Sequence, residues 1–254
     1  MLIGTCKLCL QEGAELQHSH LMPQFCYRAL QRSEPGTNPV IVNHRTAYQS
    51  SGREWRSLLC AECEGRLSKN GERYAASVLS NGEVFPLLET LNAAQHEQRG
   101  PFRAYSQAAT PSIDRASIAY FAMSVYWRYS LVSGTDRNHK QDTDLGPYAE
   151  PVRRFLLGEC SFPKHMYLWA IASADKLSQV TIIPPTNLHM KILPRRRYAL
   201  QVPGMLFILM VGKEATFLVP LLCLISSPER WLLSIDTSDK VTEAFSLLLK
   251  HHKR

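Results

Sequence analysis

Cys6-Lys7-Leu8-Cys9 and Cys60-Ala61-Glu62-Cys63, with His18-Ser19-His20-Leu21-Met22-Pro23 between them, decide how this chain is read. Two thiolates two residues apart bend around one side of a small tetrahedral ion. Two such pairs supply four soft ligands, the closed shell of structural zinc. Cys6, Cys9, Cys60 and Cys63 are therefore expected to hold Zn2+ as a folding element. The competing reading, thiols packed as small apolar side chains, explains neither the paired spacing nor the scarcity of other early cysteines, of which Cys26 is the example.

Working outward, Thr5 to Leu10 is expected to form a tight turn carrying the first pair, and Glu15 to His20 alternates as a strand does. Pro23 forces Met22 out of helical geometry, and a helix is expected from Gln24 to Gln31. Residues 33–57 read as loop with a possible hairpin around Val40-Ile41-Val42. The second cysteine pair sits in the first turn of a helix that continues toward Tyr74. Along it Arg66, Lys69 and Arg73 share a face if Gly65 and Gly71 do not break it. That face suits solvent or a phosphate backbone.

The rest of the chain has a different rhythm. Val84 to Leu91 is apolar, and the polar run His96 to Arg103 with Gly100-Pro101 suggests a boundary. Asp114 caps an expected long helix, Arg115 to Tyr129, with Ala116, Ala119, Tyr120, Met123, Tyr126 and Trp127 as its core stripe. Ser133 to Asp144 reads as a polar loop and Tyr148 to Gly158 as a second helix. From Met166 onward strands are expected at Tyr167–Ser173, Val180–Ile183, Arg197–Val202, Met205–Val211 and Thr216–Leu222. A hairpin break is expected at Gly212-Lys213-Glu214, and a last helix over Lys240 to His251. The expected fold class is α+β in three parts: a zinc module over 1–80, a helical segment over 81–160, and a β-rich antiparallel region over 161–254 that ends in a helix.

Composition narrows the function. Across 254 residues the formal charge is +7, which suits a polyanionic partner. Most of the surplus lies in residues 161–254, with 12 Lys/Arg against 6 Asp/Glu. Its densest clusters are Arg195-Arg196-Arg197 and the ending His251-His252-Lys253-Arg254. The apolar stretches are too short for a membrane helix. Unpaired cysteines and the lack of a leader-like start point to a reducing cytoplasm. Neither a glycine-rich phosphate loop nor a GxSxG elbow occurs, against nucleotide hydrolysis and serine-hydrolase chemistry.

Residues 5–74 resemble the HNH nucleases, a zinc-bearing, treble-clef version of the ββα-metal fold. In that family a CxxC knuckle precedes a strand ending in histidine, with proline close behind, and a second CxxC opens the helix that supports a catalytic metal. The resemblance assigns His20 as general base, a role suited to neutral imidazole. His18, two residues earlier on the strand, is placed to assist. Glu64 stands where the family commonly has a histidine ligand, and a carboxylate there suits Mg2+ or Mn2+. Ser19 takes the place of a stronger ligand. The implied activity is hydrolysis of DNA phosphodiesters, with Arg66, Lys69 and Arg73 along the backbone. Ser124-Val125-Tyr126-Trp127-Arg128 is similar to a run in bacterial proteins of this type, some of which serve phage defence beside a partner ATPase. A regulatory partner is thus an implied companion. The rival reading is a zinc-stabilised DNA-binding or assembly module without catalysis.

Overall fold

The computed structural model describes residues 2–33, 40–42, 47–49, 54–79, 84–99, 102–132, 143–188, 196–212, 222–225 and 227–235. Its helices and sheets make an α+β protein.

A small antiparallel sheet carries the amino-terminal end. Strand β1 (Leu2–Gly4) pairs with β2 (Ala14–His20), and β2 pairs with β5 (Trp55–Cys60). Helix α1 (Gln24–Ser33) and the short pair β3 (Val40–Val42) and β4 (Ala47–Gln49) lie between β2 and β5 in the chain. β5 runs straight into α2 (Ala61–Leu67), then a π-helical turn (Ser68–Glu72), then α3 (Arg73–Leu79). The glycines therefore do not stop the helix. Gly71 serves packing instead: a Cβ there would stand 2.7 Å from the backbone nitrogen of Phe121. Only a residue without a side chain admits a neighbouring helix backbone so closely.

That neighbour is α5 (Arg115–Val132). Asp114 caps it as expected: its carboxylate accepts from the Ser117 amide at 3.0 Å and the Ser117 hydroxyl at 2.6 Å. The expected one-sided stripe does not describe it. Every residue from Ile118 to Tyr129 is buried, whereas Ala116, placed in the stripe, is exposed. A helix buried all round is a core helix, and its aromatic residues pack inward.

A seven-stranded sheet lies against it. Its order is β6 (Glu97–Arg99), β7 (Phe102–Tyr105), β12 (Leu232–Ile235), β8 (Met166–Ser173), β11 (Met205–Val211), β10 (Arg196–Val202) and β9 (Ile183–Asn187). Neighbours are antiparallel except β12 and β8, which are parallel. The polar run read as a boundary supplies β6 and β7. The sheet thus takes two strands from ahead of α5, not only from the carboxyl-terminal region. The strand expected at Val180–Ile183 lies later, at β9, after a short helix α7 (Lys176–Gln179). Pro184 and Pro185 are tolerated because β9 is the sheet edge. β10 and β11 turn at Gly204, with φ +74°. The strand expected at 216–222 lies almost wholly outside the described residues, as do Lys213 and Glu214 of the expected hairpin and the final helix.

Helix α5 is tied to this sheet by Tyr126, whose hydroxyl reaches the carbonyls of Tyr198 at 2.9 Å and Phe207 at 3.1 Å. Arg115, at its start, is fully buried and carries no carboxylate partner among the described residues. Its guanidinium instead donates to the carbonyls of Arg230, Thr110, Tyr105 and Ser106 and to the Thr110 hydroxyl. Burial lowers its pKa to about 10. Helix α4 (Pro86–Asn92) buries Leu87, Leu88 and Leu91 and packs on α3. Helix α6 (Ala149–Leu157) ends at left-handed Gly158 and packs on α5.

Candidate metal centre

The first cysteine pair sits in a tight turn after β1. The Leu10 amide donates to the Cys6 carbonyl at 2.9 Å, and Lys7 is fixed to the end of β5 through the Leu58 carbonyl at 2.9 Å. Leu10 and Gly13 both take positive φ, near +65°, which reverses the chain into β2. The second pair lies where β5 becomes α2. The two arms meet: the four Sγ atoms of Cys6, Cys9, Cys60 and Cys63 all lie within 4.8 Å of one another. Cys9 and Cys60 stand 3.9 Å apart. Tetrahedral zinc with bonds of about 2.3 Å requires sulfur separations of about 3.8 Å. The donor set and its spacing fit zinc.

The electrostatics fit as well. Burial pushes the Cys6 thiol up, but the backbone amides of Cys60, Cys9 and Leu8 outweigh it and bring the pKa down to about 7. Donors of this kind favour thiolate, the form that binds metal. Burial raises the pKa of Cys9 and Cys63. A bound dication is what brings all four thiols to thiolate together. Arg153 on α6 buttresses the turn, donating to the Leu8 carbonyl at 2.6 Å while paired with Glu150 at 2.7 Å.

Beside this centre, β2 divides its residues between two faces. His18 is opposite Ser57, Ser19 opposite Arg56, and His20 opposite Trp55. Cross-strand partners share a face. His18, His20 and Trp55 therefore stand on the outer face, where the His18 and Trp55 rings stack at 4.0 Å and 11°. Ser19 points the other way and is fully buried. There it approaches Glu64 on α2. Burial raises the Glu64 pKa, the nearby Ser19 hydroxyl and Arg128 oppose that rise, and Glu72 adds to it. Ser19 Oγ and Glu64 Oε1 are both buried without a hydrogen-bond partner of good geometry among the described residues. Of the residues assigned to catalysis, His18 and His20 thus share the outer face, while Glu64 lies on the other side of the strand, beside Ser19.

Arg128 closes the back of this arrangement. It is buried on α5 and donates to the His20 carbonyl at 2.7 Å, to Glu72 Oε1 at 2.7 Å and to the Ser124 carbonyl at 3.3 Å. Sequence reasoning noted the Ser-x-x-Trp-Arg run but not this role. Tyr129 next to it donates to Glu54 at 3.1 Å, and the Glu54 carbonyl receives the Leu21 amide at 3.0 Å.

The three basic residues assigned to a phosphate backbone do not behave alike. Arg66 turns to the Leu157 carbonyl at 3.0 Å and lies 3.7 Å from Glu62. Lys69 falls in the π-helical turn and Arg73 begins α3; both are exposed. In the carboxyl-terminal cluster Arg197 is buried and Arg196 reaches the Asp144 carbonyl at 3.2 Å, while Arg195 lies outside the described residues.

Fold and site together define an α+β protein with a four-cysteine centre fitted for a metal ion such as zinc, adjoining a strand that carries two histidines. Among the described residues no helix is long and apolar enough to cross a membrane. No family model, no curated protein and no solved structure matches the chain.

Proposed function

We propose that the protein is a metal-dependent, HNH-like endonuclease that hydrolyses DNA phosphodiester bonds. Its zinc module is then a treble-clef form of the ββα-metal fold, built from β2, β5 and α2. The observation that carries this reading is the meeting of the end of β2 with the cysteine-bearing helix beside the four-cysteine centre. Ser19 faces the Glu64 carboxylate on the cysteine-bearing helix, while His20 stands one residue on, at the outer face and the end of the strand.

In this reading His20 accepts a proton from water as the water oxygen attacks phosphorus and the bond to the leaving oxygen breaks. Glu64 carries a hard oxygen donor of the type that would hold Mg2+ or Mn2+, with Ser19 buried behind it. A divalent ion there supplies positive charge to the phosphate and the leaving oxygen. Arg128 holds the His20 backbone in place. The net charge of +7 favours approach of a polyanion.

A second reading draws on one specific observation. Arg128 already presents a fixed cation to Glu64, so this carboxylate is partly neutralised without a metal. A binding or assembly module stabilised by zinc and lacking catalysis would look the same.

Supercoiled plasmid distinguishes the two. Zinc-loaded protein incubated with Mg2+ or Mn2+ is expected to nick the plasmid, and EDTA or His20→Ala is expected to stop it. Nicking by a folded, zinc-loaded His20→Ala protein at the wild-type rate would remove the mechanism. No nicking by the wild type with either ion would favour the binding module.

A further inference from the structure

We propose that the stacked His18 and Trp55 rings form a platform for an unpaired nucleobase beside His20. This deepens the nuclease reading by naming the substrate class, a single-stranded or locally unpaired nucleic acid.

Three observations lead there. Trp55 is 46% exposed although the His18 ring stacks on it at 4.0 Å. The pair also borders a shallow cleft of 520 Å3, lined by Leu2, Leu16, Gln17 and Ser57 as well as the two rings, with Glu15 its one carboxylate. Finally, Trp55 is the direct cross-strand partner of His20. Opposed residues on one face have Cβ atoms about 5 Å apart, so a base on Trp55 sets its own backbone beside the imidazole.

Base stacking on an aromatic ring contributes about 1–3 kcal/mol per base and tolerates any sequence, because every base has a π face. A base inside a duplex has both faces occupied. The platform therefore favours unpaired strands, and it separates substrate choice from the phosphate chemistry at Glu64 and His20. DNA and RNA share the stacking chemistry; the 2′-hydroxyl is what distinguishes them.

The test is binding without cleavage. The zinc-loaded full chain, without Mg2+ or Mn2+, is titrated into labelled oligodeoxythymidylate of about 12 nucleotides, its RNA counterpart and a blunt duplex of equal length. Fluorescence anisotropy gives the affinities. Trp55→Ala is expected to weaken single-strand binding by about 5- to 150-fold and duplex binding far less. Trp55→Phe, which keeps a ring, is expected to stay near wild type. If the alanine protein loses zinc, Trp55→Leu, which keeps apolar bulk without a π face, carries the test and is expected to lose single-strand affinity as alanine would. Unchanged single-strand affinity in Trp55→Ala, or equal loss for duplex and single strand, would overturn the platform. So would a wild type that binds no single strand, as expected of a surface that docks protein instead. His20→Ala separates the two proposals. If His20-dependent cutting persists while Trp55 variants bind normally, the platform fails and the nuclease stands. If no cutting occurs but Trp55→Ala loses single-strand binding, the nuclease fails and the platform stands.

Discussion

Helix α5 carries a buried arginine near each end, and the two are used differently. Arg115 is surrounded by carbonyl oxygens of the β7–α5 connection and of Arg230 ahead of β12, to which it donates, with Tyr74 of α3 nearby. Arg128 reaches out of the helix to the module, to the carbonyl of His20 and the carboxylate of Glu72. One end pins the helix to the large sheet. The other end pins the candidate site to the helix. A buried cation satisfied by loop carbonyls and one hydroxyl is a fastening, because it orders loops without placing charge near a reacting group. A buried cation beside Glu72 and Glu64 also sets the field in which a site works.

The largest effect is expected from removing the metal. Structural zinc contributes about 10–16 kcal/mol of apparent binding free energy in small modules. Cys60→Ser is expected to lose zinc and strip Arg128 of the partners that β2 and the π-helical turn give it. Hydrogen exchange should then show protection falling in residues 2–33 and 54–79, while the segments around Arg115, 102–110 and 227–235, stay protected. Uniform loss across both ends would show that the two fastenings are not separable.

Next in size is Arg115→Met. It leaves several buried carbonyls without a donor, each costing about 1–3 kcal/mol, so the expected loss is about 3 kcal/mol or more. Thermal or urea unfolding measures it. Nicking per folded molecule should stay at the wild-type level, and a fall would mean that this end also serves the site.

Arg128→Met is expected to cost somewhat less, about 2–3 kcal/mol, because Glu72 keeps 22% exposure and can be hydrated. Its distinguishing effect is on activity: nicking should drop with zinc content intact. Combining it with Glu72→Gln should restore much of the stability without restoring the activity. Recovery of both would make Arg128 a fastening like Arg115.

Much of this was legible in the chain. The four cysteines stand where their spacing puts them, and Asp114 caps α5 as its side chain predicts. Local chemistry announces itself locally. The two partners that tie Arg128 to the amino-terminal module lie 56 and 108 residues away, so no window of sequence could join them. The one-sided stripe expected for α5 failed because apolar residues occur all round that helix, and periodicity then has nothing to select. Gly71 looked like a breaker because its other use, admitting Phe121, depends on a helix some 50 residues on. β12 escaped notice as four residues whose place is fixed only by β7 and β8. Ser19 shows the same limit at the site. As a sequence letter it is a weak ligand. In the fold it is the buried neighbour of Glu64.

The most direct test is a single-turnover cleavage rate. Wild type and His20→Ala, each verified to hold one zinc and to melt alike, are mixed in excess with a labelled DNA strand and Mg2+. Loss of a positioned general base lowers such a rate by about 10²- to 10⁴-fold. A fall of that size, with affinity for the strand unchanged, is the predicted result. Equal rates for the two proteins would contradict the account.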